Sequence, residues 1–296
     1  MSELRVKVSG GLGNQLFKAL TAIEFAKKLE CNLSLDISWY NMRRKHSDPV
    51  SSRKFEINSF SELTKAFKLY PRTNPSGLDF RLGQLFRRID NRVSAEFGYI
   101  TDANYAKVKS GKKRYVLDGN FENWRLLPPD AELKTLLRFS QHKSEWFHQI
   151  YKLIGISKFI AIHIRRGDYL RLPGIYDVLT PDYYSNSIGI ARAEVGNLPI
   201  VLFSDDSQGA LRWISNKFQV DFVVPNALNE SPVEILELMS LATVIVGAHS
   251  TFSWWSAKIG TLTNTTTSVI LPSRFFSHNN QTNHNLKLPG WIIVDV

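Results

Sequence analysis

The sequence predicts an α/β protein of two domains, and three observations carry that prediction. The chain has 296 residues, about two domains at roughly 150 residues each. It opens on a strand, a glycine-rich turn and a helix. Its second half alternates five short apolar, β-branched runs with helical stretches, the pattern of a parallel sheet covered on both faces. Hydrophobic residues make up 43% and charged residues 22%, which supplies a packed core and excludes disordered, collagen-like and low-complexity classes.

Taken in order, residues 4–8 alternate apolar and basic side chains as a strand, and Gly10-Gly11-Leu12-Gly13 turns the chain. Leu16, Leu20, Ile23, Phe25 and Ala26 then recur at helical spacing through Leu29, and residues 33–36 read as the next strand. Residues 40–96 are basic and broken by Pro49, Pro71, Pro75 and Gly77, which predicts short helices and loops. A strand is expected at 115–117 and a helix at 144–154. The second half gives strands at 159–164, 200–203, 221–224, 243–246 and 269–271. Pro181 starts one intervening helix and Pro232, behind a Ser231 cap, starts another. The domain boundary is expected near 155–157, giving domains of residues 1–155 and 156–296, and no solenoid repeat is present.

Composition narrows the function classes further. A lone cysteine, Cys31, excludes an internal disulfide and a cysteine-based metal cluster. No run of about 18 apolar residues exists to span a bilayer. The start MSELRVKVSGG reads as a strand rather than a signal peptide, so a soluble, cytoplasmic protein is expected. The net charge of +10 is lopsided: residues 1–155 hold 27 Lys and Arg against 16 Asp and Glu, and the remainder 10 against 11. A basic half suits a polyanionic partner or simply a solvated surface.

Ligands in parallel sheets bind beyond the carboxyl ends of the strands, and four such ends are chemically loaded. Gly11, Gly13, Asn14 and Gln15 follow the first strand. They fit either a tight turn with a capping Asn or an anion cradle at a helix start. The pattern is neither the dinucleotide fingerprint nor a P-loop, because Leu16 replaces the third glycine and no Gly-Lys-Ser/Thr follows. His163-Ile164-Arg165-Arg166-Gly167-Asp168-Tyr169 ends another strand, with His163 and Arg165 on one side by alternation. Two arginines there need a carboxylate; Asp168 is expected to pair with one, leaving the other to grip a phosphate. Ser204, Asp205 and Asp206 offer either a nucleoside contact or a helix cap, and no Asp-x-Asp metal signature exists in the chain. Finally Ser250, Thr251, Phe252 and Ser253 open a helix whose amides suit an anion, while Trp254 and Trp255 read as core. No Cys/His/Glu spacing supports zinc, and no Gly-x-Ser-x-Gly elbow occurs.

In combination these motifs resemble the α-1,2-fucosyltransferases of glycosyltransferase family 11, in order and spacing over residues 5–291. The resemblance implies two Rossmann-like domains facing a cleft (GT-B-like), with residues 1–155 on the acceptor side and 156–296, including the C-terminal tail, holding the donor. It implies inverting transfer of L-fucose from GDP-L-fucose to a galactose-type acceptor, such as an O-antigen precursor, with no metal or other cofactor. Residue by residue, Arg165 would bind the β-phosphate and stabilise departing GDP, His163 and Asp205 would lie near the guanine nucleoside, and Ser204 would also contact the donor. Ser250, Thr251, Phe252 and Ser253 would support the pyrophosphate, and Gly11, Gly13, Asn14 and Gln15 would close over the donor. Asp168 is read as a catalytic residue in an orienting role, with Asp177 as an alternative carboxylate; an oxocarbenium-like transition state makes a weak base sufficient.

Three positions depart from the family pattern: His249 where Asn is more usual, Lys18-Ala19-Leu20 in place of an aromatic continuation, and Gly119-Asn120-Phe121-Glu122-Asn123 where Gly-Tyr/Phe-Trp/Phe-Gln-Ser is common. Two other readings stand beside this one. A related transferase would use another nucleotide-activated deoxyhexose. A nucleic-acid-binding protein would use the basic half, although that half carries few interleaved aromatics and no known module. On the main reading no nucleic acid is a partner, and the basic surplus suits peripheral contact with an anionic inner membrane face carrying a lipid-diphosphate-linked acceptor.

Overall fold

A computed structural model of the chain describes residues 2–41, 53–70, 85, 90–154, 158–167, 170, 179–225, 231–274 and 283–296. The chain forms two units, Met1–Arg138 and Phe139–Val296.

In the first unit, β1 (Ser2–Lys7) runs into α1 (Leu12–Leu29), which returns the chain to β2 (Cys31–Asp36), paired parallel to β1. This is the expected β-α-β start. Helix α1 is buried on nearly every side, because Leu16, Phe17 and Leu20 all pack with no exposed surface. Lys27 and Lys28 in its last turn complement the helix dipole. After the short helix α2 (Ser61–Thr64) come β3 (Lys68–Leu69), α3 (Asn91–Glu96), β4 (Tyr99–Ile100), β5 (Arg114–Leu117) and α4 (Asp130–Leu136). The sheet order is β3-β2-β1-β5-β4, all parallel. The direction of travel reverses between β1 and β5, so that is the unit's topological switch.

The second unit begins earlier than expected. Helix α5 (Glu145–Ile154), expected in the first domain, is tied to α8 (Pro232–Ser240). The Ser144 amide and hydroxyl donate to the Glu234 carboxylate at 2.7 and 2.5 Å, and Lys143 pairs with Glu237. Those half-buried polar contacts hold α5 to the second unit, and the division falls at 138/139 rather than near 155–157.

The rest of the unit is β6 (Ile160–Ile164), α6 (Pro181–Val195), β7 (Ile200–Ser204), α7 (Ser207–Ile214), β8 (Phe222–Val223), β9 (Val244–Val246), α9 (Thr251–Leu262), β10 (Ser268–Pro272) and β11 (Ile292–Val294). Thr180 caps α6 ahead of Pro181 and Ser231 caps α8 ahead of Pro232, matching the expected helix starts. Strand order is β11-β10-β9-β6-β7-β8, again parallel throughout. Counted from β6 this is the 3-2-1-4-5-6 order of a Rossmann sheet, with its switch between β6 and β9. All five β6 residues are buried, as a central parallel strand requires.

Candidate functional site

The β6/β9 switch gathers the chemically loaded residues of the second unit. His163 and Ile164 close β6 in register with Phe203 and Ser204 of β7, so the residues beyond both strands emerge side by side. There the Arg165 guanidinium meets the Asp205 carboxylate at 3.0 Å, with both side chains largely shielded from solvent. The Arg166 amide donates to the same carboxylate at 2.9 Å. Gly167 is required for this approach, since a Cβ there would stand 2.6 Å from Asp205 Oδ2. Burial opposes ionisation of Asp205, but the Arg165 charge, the Arg166 and Gly167 amides and His163 outweigh it and hold its pKa below the ordinary carboxylate range.

Arg166 turns away from this pair. Its guanidinium stacks on Trp213 at 4.6 Å from the ring centroid and lies 3.9 Å from Asp206. Both arginines therefore find their carboxylates beyond β7. Neighbouring parallel strands deliver Asp205 and Asp206 to the arginines directly. Asp168 and Asp177 lie outside the described residues.

His163 is buried, with its ring 5.7 Å from that of Phe252 and its carbonyl accepting from the Tyr184 hydroxyl. Burial first, and the Arg165 charge second, push its pKa down to about 4 against a smaller opposing pull from Asp205. At neutral pH the imidazole is uncharged. Its Nδ1 is buried and has no hydrogen-bond partner among the described residues.

Helix α9 starts at the same switch. Ser250 caps it by accepting from the Phe252 amide at 3.2 Å, Thr251 follows half-buried, and no acidic residue occupies the first turn. Ser253, expected to contact pyrophosphate, is instead fully buried: its hydroxyl accepts from the Ala248 amide and donates to the Ser250 carbonyl. It stabilises the turn that aims the helix. Trp254 and Trp255 are core, as expected, the Trp254 indole donating to the Leu286 carbonyl at 2.8 Å. Ser204 accepts from the Asp206 amide, and Asp206, rather than Ser204 or Asp205, caps α7. Among the described residues no three His, Cys, Asp or Glu side chains converge as a metal site.

The glycine turn belongs to the first unit. Gly10 adopts φ +85°, and its carbonyl accepts from the Tyr40 hydroxyl at 3.0 Å. The Arg53 guanidinium lies over Gly11, where a Cβ would meet it at 3.1 Å, while Gly13 is buried and Asn14 half-buried. Gln15 has no exposed surface, and its amide is fully engaged: it donates to the Gly10 and Lys54 carbonyls and accepts from the Glu56 amide. The expectation that Gln15 contacts donor is corrected accordingly, because nothing on that amide remains to offer.

Comparison with known proteins meets this geometry. The model of glycosyl transferase family 11 matches residues 133–295, more than half of the chain. The chain belongs to glycosyl transferase family 11. It is 28% identical over 313 aligned residues to the O-antigen biosynthesis glycosyltransferase WbnK of Escherichia coli, covering 96% of this chain and 98% of that protein. It is 24% identical to an α-1,2-colitosyltransferase of Escherichia coli, covering 87% of each. Among solved structures, the fucosyltransferase NodZ from Bradyrhizobium shares the fold, at a TM-score of 0.53 and 15% identity over 86% of this chain and 92% of that one. NodZ α-1,6-fucosyltransferase co-crystallised with GDP gives a TM-score of 0.52 at 14% identity, over 87% and 92%.

Within the family-11 segment fall His163, Arg165, Asp205 and Ser250, which the fold brings to one switch point. Sequence reasoning missed the parts that hold them. Gly167 lies inside the 163–169 motif, with the carboxylate it admits 38 positions away. Tyr183 and Tyr184 of α6 bond the Gly247 and His163 carbonyls, and nothing in their spacing marked them.

Proposed function

We propose that this family-11 chain transfers L-fucose from GDP-L-fucose, with inversion and without a metal, in α-1,2 linkage to a galactose-type acceptor of an O-antigen precursor. The observation that carries the proposal is the Arg165–Asp205 pair beside the N-terminus of α9. In the reaction the acceptor hydroxyl oxygen bonds to the anomeric carbon as the bond to the β-phosphate oxygen breaks. GDP leaves with the bonding electrons, and the hydroxyl proton is lost to solvent or to a side chain. The departing diphosphate needs positive charge and fixed dipoles, which Arg165 and the amides of α9 supply without a cation. His163, neutral and buried, suits the nucleoside better than the phosphates. Residues of the second unit are thus read as the donor site and the first unit as the acceptor side.

A second reading has a specific observation behind it. The resemblance to an α-1,2-colitosyltransferase makes a nucleotide-activated 3,6-dideoxyhexose the competing donor. Incubation with GDP-fucose or the colitose donor, a panel of β-galactosides and EDTA, with the product linkage mapped, separates the two. Fucosyl transfer in α-1,2 linkage in the presence of EDTA supports the proposal; transfer of colitose alone replaces it.

No described helix is long and apolar enough to cross a membrane. The surplus of positive charge in residues 1–155 supports peripheral contact with an anionic inner membrane face, where a lipid-diphosphate-linked acceptor would be met. Flotation with vesicles of graded anionic lipid tests this; binding independent of anionic lipid refutes it.

A further inference from the structure

The switch point of the first sheet, between β1 and β5, carries a side chain that the proposed reaction has not used. The loop after β5 is built with little freedom. The Asp102 carboxylate accepts from the Asn120 and Phe121 amides at 2.9 and 2.7 Å, and a Cβ at Gly119 would collide with that carboxylate at 2.3 Å. Phe121 is held in the left-handed region at φ +52°, a conformation an aromatic residue adopts only under constraint. The constraint is core packing: its side chain is 1% exposed, with the ring 6.3 Å from that of Phe25. The Asn123 amide then closes on the Phe121 carbonyl at 2.7 Å, which places Glu122 at the apex of a three-residue turn.

Glu122 occupies this apex under adverse conditions. Its carboxyl retains some solvent-accessible surface but is closely surrounded by protein. The charged groups facing it are Asp102, from the loop after β4, and Lys18 from α1, whose ammonium donates to Ser9 Oγ at 2.6 Å. Burial first, and the Asp102 charge second, push its pKa up to about 7 against the pull of Lys18. Among the described residues no donor hydrogen-bonds this carboxylate. A carboxylate crowded by protein and without a protein donor is poorly satisfied, and the strained turn that presents it adds a further cost. Both costs are explained when the missing donors belong to a ligand at the sheet's carboxyl edge, where parallel sheets bind theirs.

We propose that Glu122 is an acceptor-recognition residue whose carboxylate takes hydrogen bonds from hydroxyls of the sugar that receives the fucosyl group. This rests on the reading of the chain as a fucosyltransferase. The occupant is a hydroxyl-rich ring without an acidic group: Glu122 and Asp102 outnumber Lys18 here, which disfavours an anionic sugar, and hydroxyls are donors that a carboxylate can accept from.

Steady-state kinetics of Glu122→Gln and Glu122→Ala, with thermal melts to confirm folding, test the proposal. The expected result is an acceptor KM raised about tenfold in Glu122→Ala, the scale of a lost charge-assisted hydrogen bond. Donor KM and kcat at saturating acceptor stay near wild type. Wild-type kcat/KM for acceptor falls as the pH drops through about 7 and the carboxylate protonates, and this dependence is absent in Glu122→Gln. Singly deoxygenated galactosides identify the hydroxyl: the one Glu122 contacts costs the wild type affinity and costs Glu122→Ala none. An unchanged acceptor KM, or a loss in kcat alone, overturns the proposal while leaving the fucosyltransferase reading intact. Failure of the wild type to transfer fucose to any sugar overturns both.

Discussion

Arg165 and Asp205 lie 40 positions apart in the chain, yet β6 and β7 bring them to a 3.0 Å ion pair at adjoining strand ends. The pair is not isolated: Asp205 also accepts from the Arg166 amide, so the carboxylate is locked to the backbone of the strand it serves. A guanidinium fixed in this way is preorganised, which is worth most when charge develops on a departing diphosphate.

Replacing Arg165 should therefore act on the chemical step. Arg165→Lys keeps a positive charge but loses the planar fork, and Arg165→Ala loses both. We expect kcat to fall by about 10²–10³-fold in Arg165→Ala and by less in Arg165→Lys. Product formation from labelled GDP-fucose, alongside thermal melts, measures this. Near-wild-type turnover in folded Arg165→Ala would remove the arginine from the mechanism.

Gly167→Ala probes the same pair without deleting a charge. The added Cβ would lie 2.6 Å from Asp205 Oδ2, so the carboxylate must move and release both Arg165 and the backbone amides. Disrupting a shielded ion pair costs on the order of 3 kcal/mol when one partner is stranded. We expect a lower melting temperature together with at least tenfold weaker activity, of the order expected when a positioned group is displaced by about 1 Å. Calorimetry and kinetics on one preparation check both. An unaltered melt would mean that the loop absorbs the methyl group and that the contact is looser than its geometry indicates.

What the sequence disclosed follows the physics of each element. Residues 160–164 and 200–204 are apolar except for His163 and Ser204, so they are readable as buried parallel strands, and Pro181 and Pro232 mark two of the helices that follow. β3 and β4 are two residues each and β11 three, too short for any periodicity to emerge. His163, Arg165 and Ser250 were legible because charged or hydroxylic residues at strand ends are chemically conspicuous. The Asp205 partner was not, because only the pairing of β6 with β7 brings it to Arg165. Ser253 and Gln15 show the converse. A polar side chain in a motif looks the same in sequence whether it meets a ligand or satisfies a buried turn.

His163 gives a prediction that depends on pH. Its folded pKa of about 4 lies below the unfolded reference of 6.5, so the unfolded chain binds the extra proton first on acidification. The stability it contributes is complete above about 6.5 and is lost as the pH falls towards about 4. The linked loss is on the order of 1–3 kcal/mol. His163→Asn should flatten the pH dependence of the denaturation midpoint within that window and leave it unchanged at pH 8. A wild-type imidazole resonance titrating near 6.5 by NMR would contradict the burial on which this rests.

Gln15 separates a structural role from a ligand-binding one. Its amide joins the glycine turn to the 54–56 segment through three hydrogen bonds and has no exposed surface. Gln15→Ala strands the Glu56 amide and two carbonyls, each worth about 1 kcal/mol or more when left unsatisfied, so a loss of about 2–4 kcal/mol is expected. GDP affinity, measured by calorimetry at a temperature where the variant remains folded, should be unchanged, because the residue has no group left for the nucleotide. Gln15→Glu sharpens the test. A carboxylate can still accept from the Glu56 amide but faces two carbonyls without protons to give, so it should destabilise as much as alanine near neutrality and less at low pH, where its acid form can donate to one of them. A variant that is fully stable but binds GDP weakly would return Gln15 to the donor site.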